Sequence, residues 1–359
     1  MDSNSLPLNN LSPAQRKAFN THLNDLWDEY QDQLSDLIIE AKTMVPNATY
    51  DESDPLASAR DLLADYARQA NIIANDYYRN VRDAWATAAD VTLPDYKDAQ
   101  VTSDRAFWQV VGGYNDTMFV GLKYTDVILG RSRAGLTIDD LWASKTRDYT
   151  DSDWAALAKD VINATTRLTT MFDVKGDPTG PRYARVPQGK TCAFCTMLAS
   201  RGFVYASEDT AGKWHQYHHD CDCKIVPSWG ETRIEGHDPA KLKDMYEQAK
   251  AHASSNDVNA VLRAMNHLYP DELTSGVHEL SAPWPTDVIQ PRAKTWDHVF
   301  TNHGPDATVP GKTHFPQGWD EKKIKWAVEE TVVAPDIVIP GGEQRRTLYK
   351  IVEDEIIRV

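Results

Sequence analysis

The sequence predicts an α+β fold, mostly helical towards the N-terminus, and three observations carry that reading. Apolar residues recur at three- and four-residue steps along two long stretches before residue 90. All four cysteines fall in one loop-rich block near the middle of the chain. After residue 291 the pattern becomes one helix followed by alternating, strand-like runs.

A chain of 359 residues implies two or three domains. Its 41% hydrophobic content is enough for packed cores. The formal net charge of -15 argues against broad coating of nucleic acid, which needs a basic face, but leaves room for a small basic site on one domain. No apolar run approaches the roughly 20 residues that span a bilayer, so no membrane contact is expected. Residues 1–11 are polar and do not read as a secretory signal. The expected setting is a reducing cytoplasm, in which the cysteines are thiols or thiolates rather than disulfides.

The first helix starts at Ser12-Pro13, with Ser as N-cap and Pro in the first turn. Its apolar face holds Phe19, Leu23, Leu26, Trp27, Tyr30, Leu34, Leu37, Ile38 and Ala41. After a turn over residues 47–54, a second helix runs from Asp54-Pro55 through Leu62, Leu63, Tyr66, Ala70, Ile73 and Tyr77 towards Ala88. The excess of Asp and Glu on both is a solvated face. Shorter helical pieces follow at 126–129, 138–143 and 153–169. Asp177-Pro178-Thr179-Gly180-Pro181 is a turn leading to a short strand at 183–187. Residues 239–267 read as helical, 270–291 as a proline-rich linker, 320–333 as a helix, and 337–339 and 347–359 as strands.

The cysteine block reads Cys192-Ala193-Phe194-Cys195, a spacer, then His218-His219-Asp220-Cys221-Asp222-Cys223. A CxxC turn presents two thiolates to one tetrahedral ion, at sulfur–metal distances of roughly 2.3 Å. The second stretch supplies the remaining donors, and soft sulfur with imidazole favours zinc. The candidate ligands are Cys192, Cys195, His218, Cys221 and Cys223, with His219 as a substitute. With so many donors the site is expected to be closed and structural, holding a module that buries little apolar surface. A redox CxxC is the weaker reading, because no strand-then-helix setting is evident. A cytoplasmic zinc-dependent hydrolase is a further alternative. It needs a carboxylate base, for which the block offers only Asp220 and Asp222.

The run from Arg185 to Gly202, with His218-His219-Asp220-Cys221-Asp222-Cys223, resembles the Mu F-like minor head proteins of tailed phages. The resemblance covers roughly residues 129–227. It implies a virion protein of head morphogenesis, made in the host cytoplasm, placed with the portal and other head proteins inside the capsid and expelled with the DNA.

The C-terminal segment carries a second pattern: Trp296-Asp297-His298, Asn302-His303-Gly304 and Lys312-Thr313-His314. Metal-free RNA cleavage needs a base for the 2′-hydroxyl, an acid for the 5′-oxygen and a donor for the charged phosphorane. Two imidazoles can divide the first two roles at neutral pH. The block from Gly311 to Ile324 resembles EndoU-type ribonuclease toxin domains of the barnase/EndoU/colicin/RelE-like group. That resemblance implies an endoribonuclease leaving 2′,3′-cyclic phosphate ends. It makes His298 and His303 the base and acid, with His314 as the alternative second histidine. It makes Lys312 or Lys350 the transition-state cation, and Thr347 and Tyr349 hydroxyl donors. RNA would be the substrate, and an immunity protein a partner. One or two further strands are expected after Val359, so the domain reads as truncated. An inactive domain on a purely structural virion protein is the alternative.

The expected organisation is a helical region at 1–128, a zinc-stapled Mu F-like α+β module at 129–235, a helical extension at 236–269, the linker, and a small α+β nuclease-like domain at 292–359.

Overall fold

The computed structural model describes residues 6, 8, 10–51, 53–111, 122–132, 135–206, 222–230, 232–253, 255, 258–274, 293–310, 312–333, 335, 337–340, 346–352 and 355–359. The fold is α+β, and it forms two compact units. One contains residues 1–112 and 149–278, the other residues 113–148 and 279–359.

The first unit is built on three long helices, α1 (Pro13–Ala48), α2 (Pro55–Ala89) and α6 (Asp151–Gly176). The Ser12 hydroxyl accepts the Gln15 amide, and the Gln15 side chain accepts the Ser12 amide, so a reciprocal cap starts α1. Asp54 caps α2 through the amide of Ala57. Between the helices, Tyr30 and Tyr77 stack at 4.3 Å and Phe19 meets Trp85 edge-on at 5.0 Å. Each large side chain taken out of water here contributes roughly 1.5–3 kcal/mol.

Helix α6 is buried on nearly every side although Asn163, Thr165, Thr166, Thr169 and Thr170 lie along it. The threonine hydroxyls donate to carbonyls three or four residues back, so no alcohol is buried unsatisfied. Helix α3 (Ser103–Val110) packs beside α6. Strands β1 (Arg182–Val186) and β2 (Lys224–Ser228) pair antiparallel against it, in a register running from Arg182 opposite Ser228 to Val186 opposite Lys224. The short helix α7 (Ala193–Ala199) follows β1 and packs on α8 (Pro239–His252) and α9 (Val258–Leu268).

The helical stretch expected over 239–267 is two helices, because the chain is extended at Ala253. One expectation changes in this unit. The stretch expected as linker from residue 270 begins as packed structure. Leu273 is buried with Ala193, Met245, Val261 and Met265, and Thr274 donates its amide to the Thr191 carbonyl. The rest of that stretch, 275–291, lies outside the described residues.

The second unit joins α4 (Tyr124–Ile128) and α5 (Ile138–Thr146) to the C-terminal segment. Strands β3 (Ile337–Pro340), β4 (Arg346–Val352) and β5 (Glu355–Arg358) form an antiparallel meander, and α5 packs on β3. Helix α11 (Glu321–Val333) covers β4 and β5 with Ala327 and Val328 against Val352 and Ile357. Helix α10 (Ala293–His303) was not expected as a helix; its Trp296 packs on the same cluster. Residues 113–148 thus pack with the C-terminal segment rather than with the cysteine block. Among the described residues no helix is long and apolar enough to cross a membrane.

Candidate functional site

The described thiols converge. Cys192, Cys195 and Cys223 form one buried cluster, edged by Phe194. The β1–β2 register brings this about. It sets Lys224 opposite Val186, so Cys223, just before β2, lies beside the loop that leaves β1. Cys192 occupies the N-cap of α7, and its sulfur accepts the Cys195 amide at 3.4 Å. Cys195 is one turn further on and fully buried. The Thr191 hydroxyl lies 3.8 Å from the Cys223 sulfur.

Cations surround this cluster. The Arg185 guanidinium stands 4.0 Å from the Cys195 sulfur, and Arg167 of α6 donates through Nε to the Cys223 carbonyl at 2.7 Å. Lys224, next in sequence to Cys223, is buried and donates to the Asn163 side chain. Arg185 thus sets a guanidinium against one sulfur, while Arg167 and Lys224 tie the Cys223–Lys224 step to α6. Sequence reasoning did not single out Arg167 or Arg185. Arg185 falls within the cysteine block, whereas nothing in the sequence ties Arg167 to it.

Among the described residues no three His, Cys, Asp or Glu side chains stand in an arrangement that could hold a metal ion. His218, His219, Asp220 and Cys221 lie outside the described residues. Asp222, one of the two carboxylates a hydrolase reading would need, is paired with Lys159 at 2.9 Å. The setting missing from the redox reading is present, since β1 leads to Cys192 at a helix start. Both thiols of that motif are buried, however, whereas disulfide exchange needs one that a partner can reach.

In the second unit, α10 carries His298 and His303 with ring centroids 5.6 Å apart. His303 Nδ1 lies 2.8 Å from the Thr313 carbonyl, and the Phe315 amide donates to the His303 carbonyl at 2.8 Å. The chain can fold back this way because residue 304 is glycine. A Cβ there would stand 2.6 Å from the Phe300 carbonyl oxygen. Asn302 places Nδ2 3.0 Å from both Nδ1 and the carbonyl oxygen of His298. Asn302 was not singled out either; its signal is the four-residue step from His298, one helical turn.

The other expected residues are more dispersed. Lys312 and His314 are exposed on the segment beside His303. Tyr349 on β4 is buried, its ring lies under the Arg358 guanidinium, and burial pushes its hydroxyl up from the usual phenol range. Lys350 is half-buried and, as the next residue along the strand, points to the other face. Thr347 pairs with Ile339 through the backbone, and its side chain lies outside the described residues. Lys325 of α11, paired with Glu321 at 2.5 Å, lies over the rings of Trp296 and Phe300 on α10 at 5.8 and 5.6 Å.

No curated protein and no solved structure matches this chain. A family model described as VG15 protein matches residues 10–249, from the start of α1 through most of α8 and across the whole cysteine block. The match ends before the histidine pair, and it covers about two thirds of the sequence. The chain therefore belongs to the VG15 protein family, a viral gene family.

Proposed function

We propose that this chain is a minor head protein of a tailed phage, of the Mu F-like type, placed with the portal inside the capsid. The convergence of Cys192, Cys195 and Cys223 within the family match carries this reading, because it supplies the sulfur half of the staple such a module needs. Zinc would draw Cys192, Cys195 and Cys223, which do not stand in ligand geometry among the described residues, into one site, with His218, His219 or Cys221 completing the set. Zinc would act there as a structural cross-link between the α7 turn and the start of β2. Metal analysis of the purified full chain should give about one zinc per chain, as a closed four-ligand site requires. Protein without zinc that melts identically with and without chelator would end the zinc reading. Failure to co-purify with the portal ring would end the head placement.

A second reading concerns the other unit, and the 5.6 Å approach of the His298 and His303 rings favours it. It makes the C-terminal segment a metal-independent ribonuclease, expelled into the host with the DNA and held in check by an inhibitor protein during assembly. Lys312, exposed on the segment beside His303, is the candidate cation. Full-length protein in EDTA should cut RNA to 2′,3′-cyclic ends, and His298→Ala and His303→Ala should each slow cutting by about 100-fold or more. Intact RNA at micromolar protein leaves a purely structural virion protein.

A further inference from the structure

The two histidines of α10 do not have equivalent hydrogen bonds. A carbonyl oxygen can only accept, so the 2.8 Å contact from His303 Nδ1 to the Thr313 carbonyl puts a proton on Nδ1. The lone pair of His303 is then at Nε2. The contact to the carbonyl is kept when Nε2 takes a proton, since the ring keeps its Nδ1–H.

His298 faces the opposite kind of partner. Asn302 Nδ2 lies 3.0 Å from the His298 carbonyl oxygen, so that end of the amide must be the NH2 group. The reversed amide would set two oxygens against each other. The same NH2 group lies 3.0 Å from His298 Nδ1, which must therefore accept. Its lone pair is at Nδ1 and its proton at Nε2. A proton on Nδ1 in the neutral ring would turn an N–H against the N–H of Asn302, so the tautomer protonated at Nε2 is the one this contact fits. A neutral imidazole so held is a hydrogen-bond donor, not a source of protons.

We infer that the Thr313 carbonyl and Asn302 fix the two imidazoles in opposite neutral tautomers, making His303 the proton acceptor and His298 a neutral hydrogen-bond donor. The assignment of roles rests on the ribonuclease reading; the tautomers do not. In that reaction the 2′-hydroxyl gives its proton to His303 Nε2 as its oxygen bonds to phosphorus. His298 Nε2–H donates to a non-bridging phosphate oxygen as charge builds on it. The phosphorus–O5′ bond breaks, and the 5′-oxygen takes a proton from water. His303 then returns its proton to the hydroxide. Asn302 is a positioning residue, acting on substrate only through His298.

The test uses the full chain, labelled with ¹⁵N. Long-range ¹H–¹⁵N spectra near pH 8 should show His303 protonated at Nδ1 and His298 at Nε2. Asn302→Asp offers Nδ1 an acceptor, so it should move the His298 proton to Nδ1 and leave His303 unchanged. The same tautomer in both rings, or no response of His298 to Asn302→Asp, overturns the inference.

Kinetics on RNA separate the roles. A glutamine amide can donate a hydrogen bond but cannot exchange a proton. His298→Gln should therefore keep activity within about tenfold of wild type, while His298→Ala loses about 100- to 1,000-fold, the usual cost of one transition-state donor. His303→Gln and His303→Ala should lose equally, by about 100- to 10,000-fold. Equal loss in His298→Gln and His298→Ala overturns the donor role. If the wild-type chain leaves RNA intact, the ribonuclease reading and both roles fall, and the spectra still decide the tautomers.

Discussion

Arg82 of α2 and Asp177, just past the end of α6, form a buried ion pair, Nε to Oδ2 at 2.7 Å, with side chains 9% and 0% exposed. Asp177 is saturated. It also accepts the Tyr78 hydroxyl at 3.0 Å and both the amide and hydroxyl of Thr179. The pair therefore ties the end of α6, and the turn that starts β1, to α2. Removing one partner strands a charge in a dry site. Asp177→Ala should cost about 3–5 kcal/mol in urea unfolding of the full chain. Restoring shape without charge, as in Arg82→Met with Asp177→Leu, should recover much of that loss. A cost below about 1 kcal/mol for Asp177→Ala would place the pair among solvent-screened ones.

Asp173, one turn before Asp177, behaves differently. It is 1% exposed, and burial above all, aided by Asp98 and Asp177, pushes its carboxyl up to about 7. Oδ1 accepts the Ala99 amide at 2.8 Å, while Oδ2 has no hydrogen-bond partner. The folded protein therefore holds a proton that the unfolded chain has released between its ordinary value of 3.8 and about 7. Stability from this group falls as pH rises through that window and stays low above it. Asp173→Asn keeps an acceptor for Ala99 and removes the ionisation cost. It should raise the melting temperature at pH 8, by an amount on the order of a few kcal/mol in stability, and much less at pH 5. His237, which burial lowers to about 4, shifts both proteins alike and drops out of the comparison. Equal effects at the two pH values would show that Asp173 does not titrate in this range.

The long helices and the grouping of the thiols were legible because each has a local signature. Ser12-Pro13 and Asp54-Pro55 mark helix starts, and a CxxC needs nothing distant to be recognised. Helix α6 was legible only as a helix. Its central place was masked by Asn163, Thr165, Thr166, Thr169 and Thr170, which read as a polar face, although the four threonine hydroxyls satisfy themselves against the helix backbone and Asn163 accepts from Lys224. Strand β2 was overlooked because Pro227 sits inside it, paired with Tyr183. The packing of 113–148 with the C-terminal segment rests on α5 meeting β3, a long-range contact no periodicity encodes. In the candidate catalytic site the histidines were legible as residue types. Their hydrogen bonds to Asn302 and Thr313 were not, because these depend on where α10 ends.

Cys192 lets the metal reading be separated from simple packing. Its sulfur caps α7, and serine is a better cap than cysteine. If the thiols are only structural, Cys192→Ser should leave stability within about 0.5 kcal/mol of wild type. If they grip zinc, the cap survives but a ligand is lost. Metal content should then fall well below one per chain, and the melting temperature should drop to that of chelator-treated wild type. A variant that keeps both its zinc and its melting temperature removes Cys192 from the ligand set.

Gly230 approaches Trp85 so closely that a Cβ there would stand 2.8 Å from the indole ring. Trp85 is 1% exposed and braced edge-on by Phe19, so the ring has nowhere to retreat. The Leu6 amide donates to the Trp229 carbonyl at 2.7 Å, which holds the backbone from the other side. Gly230→Ala should therefore overpack this corner and cost about 1–3 kcal/mol. Backbone freedom is not the cause, because φ at this residue is not in the left-handed region. Trp85→Phe removes the clashing ring atoms at the expense of a cavity. The double variant should thus be more stable than the sum of the two single costs, and a double-mutant cycle by urea unfolding measures the difference. Strict additivity would mean that the added methyl is accommodated by backbone movement instead.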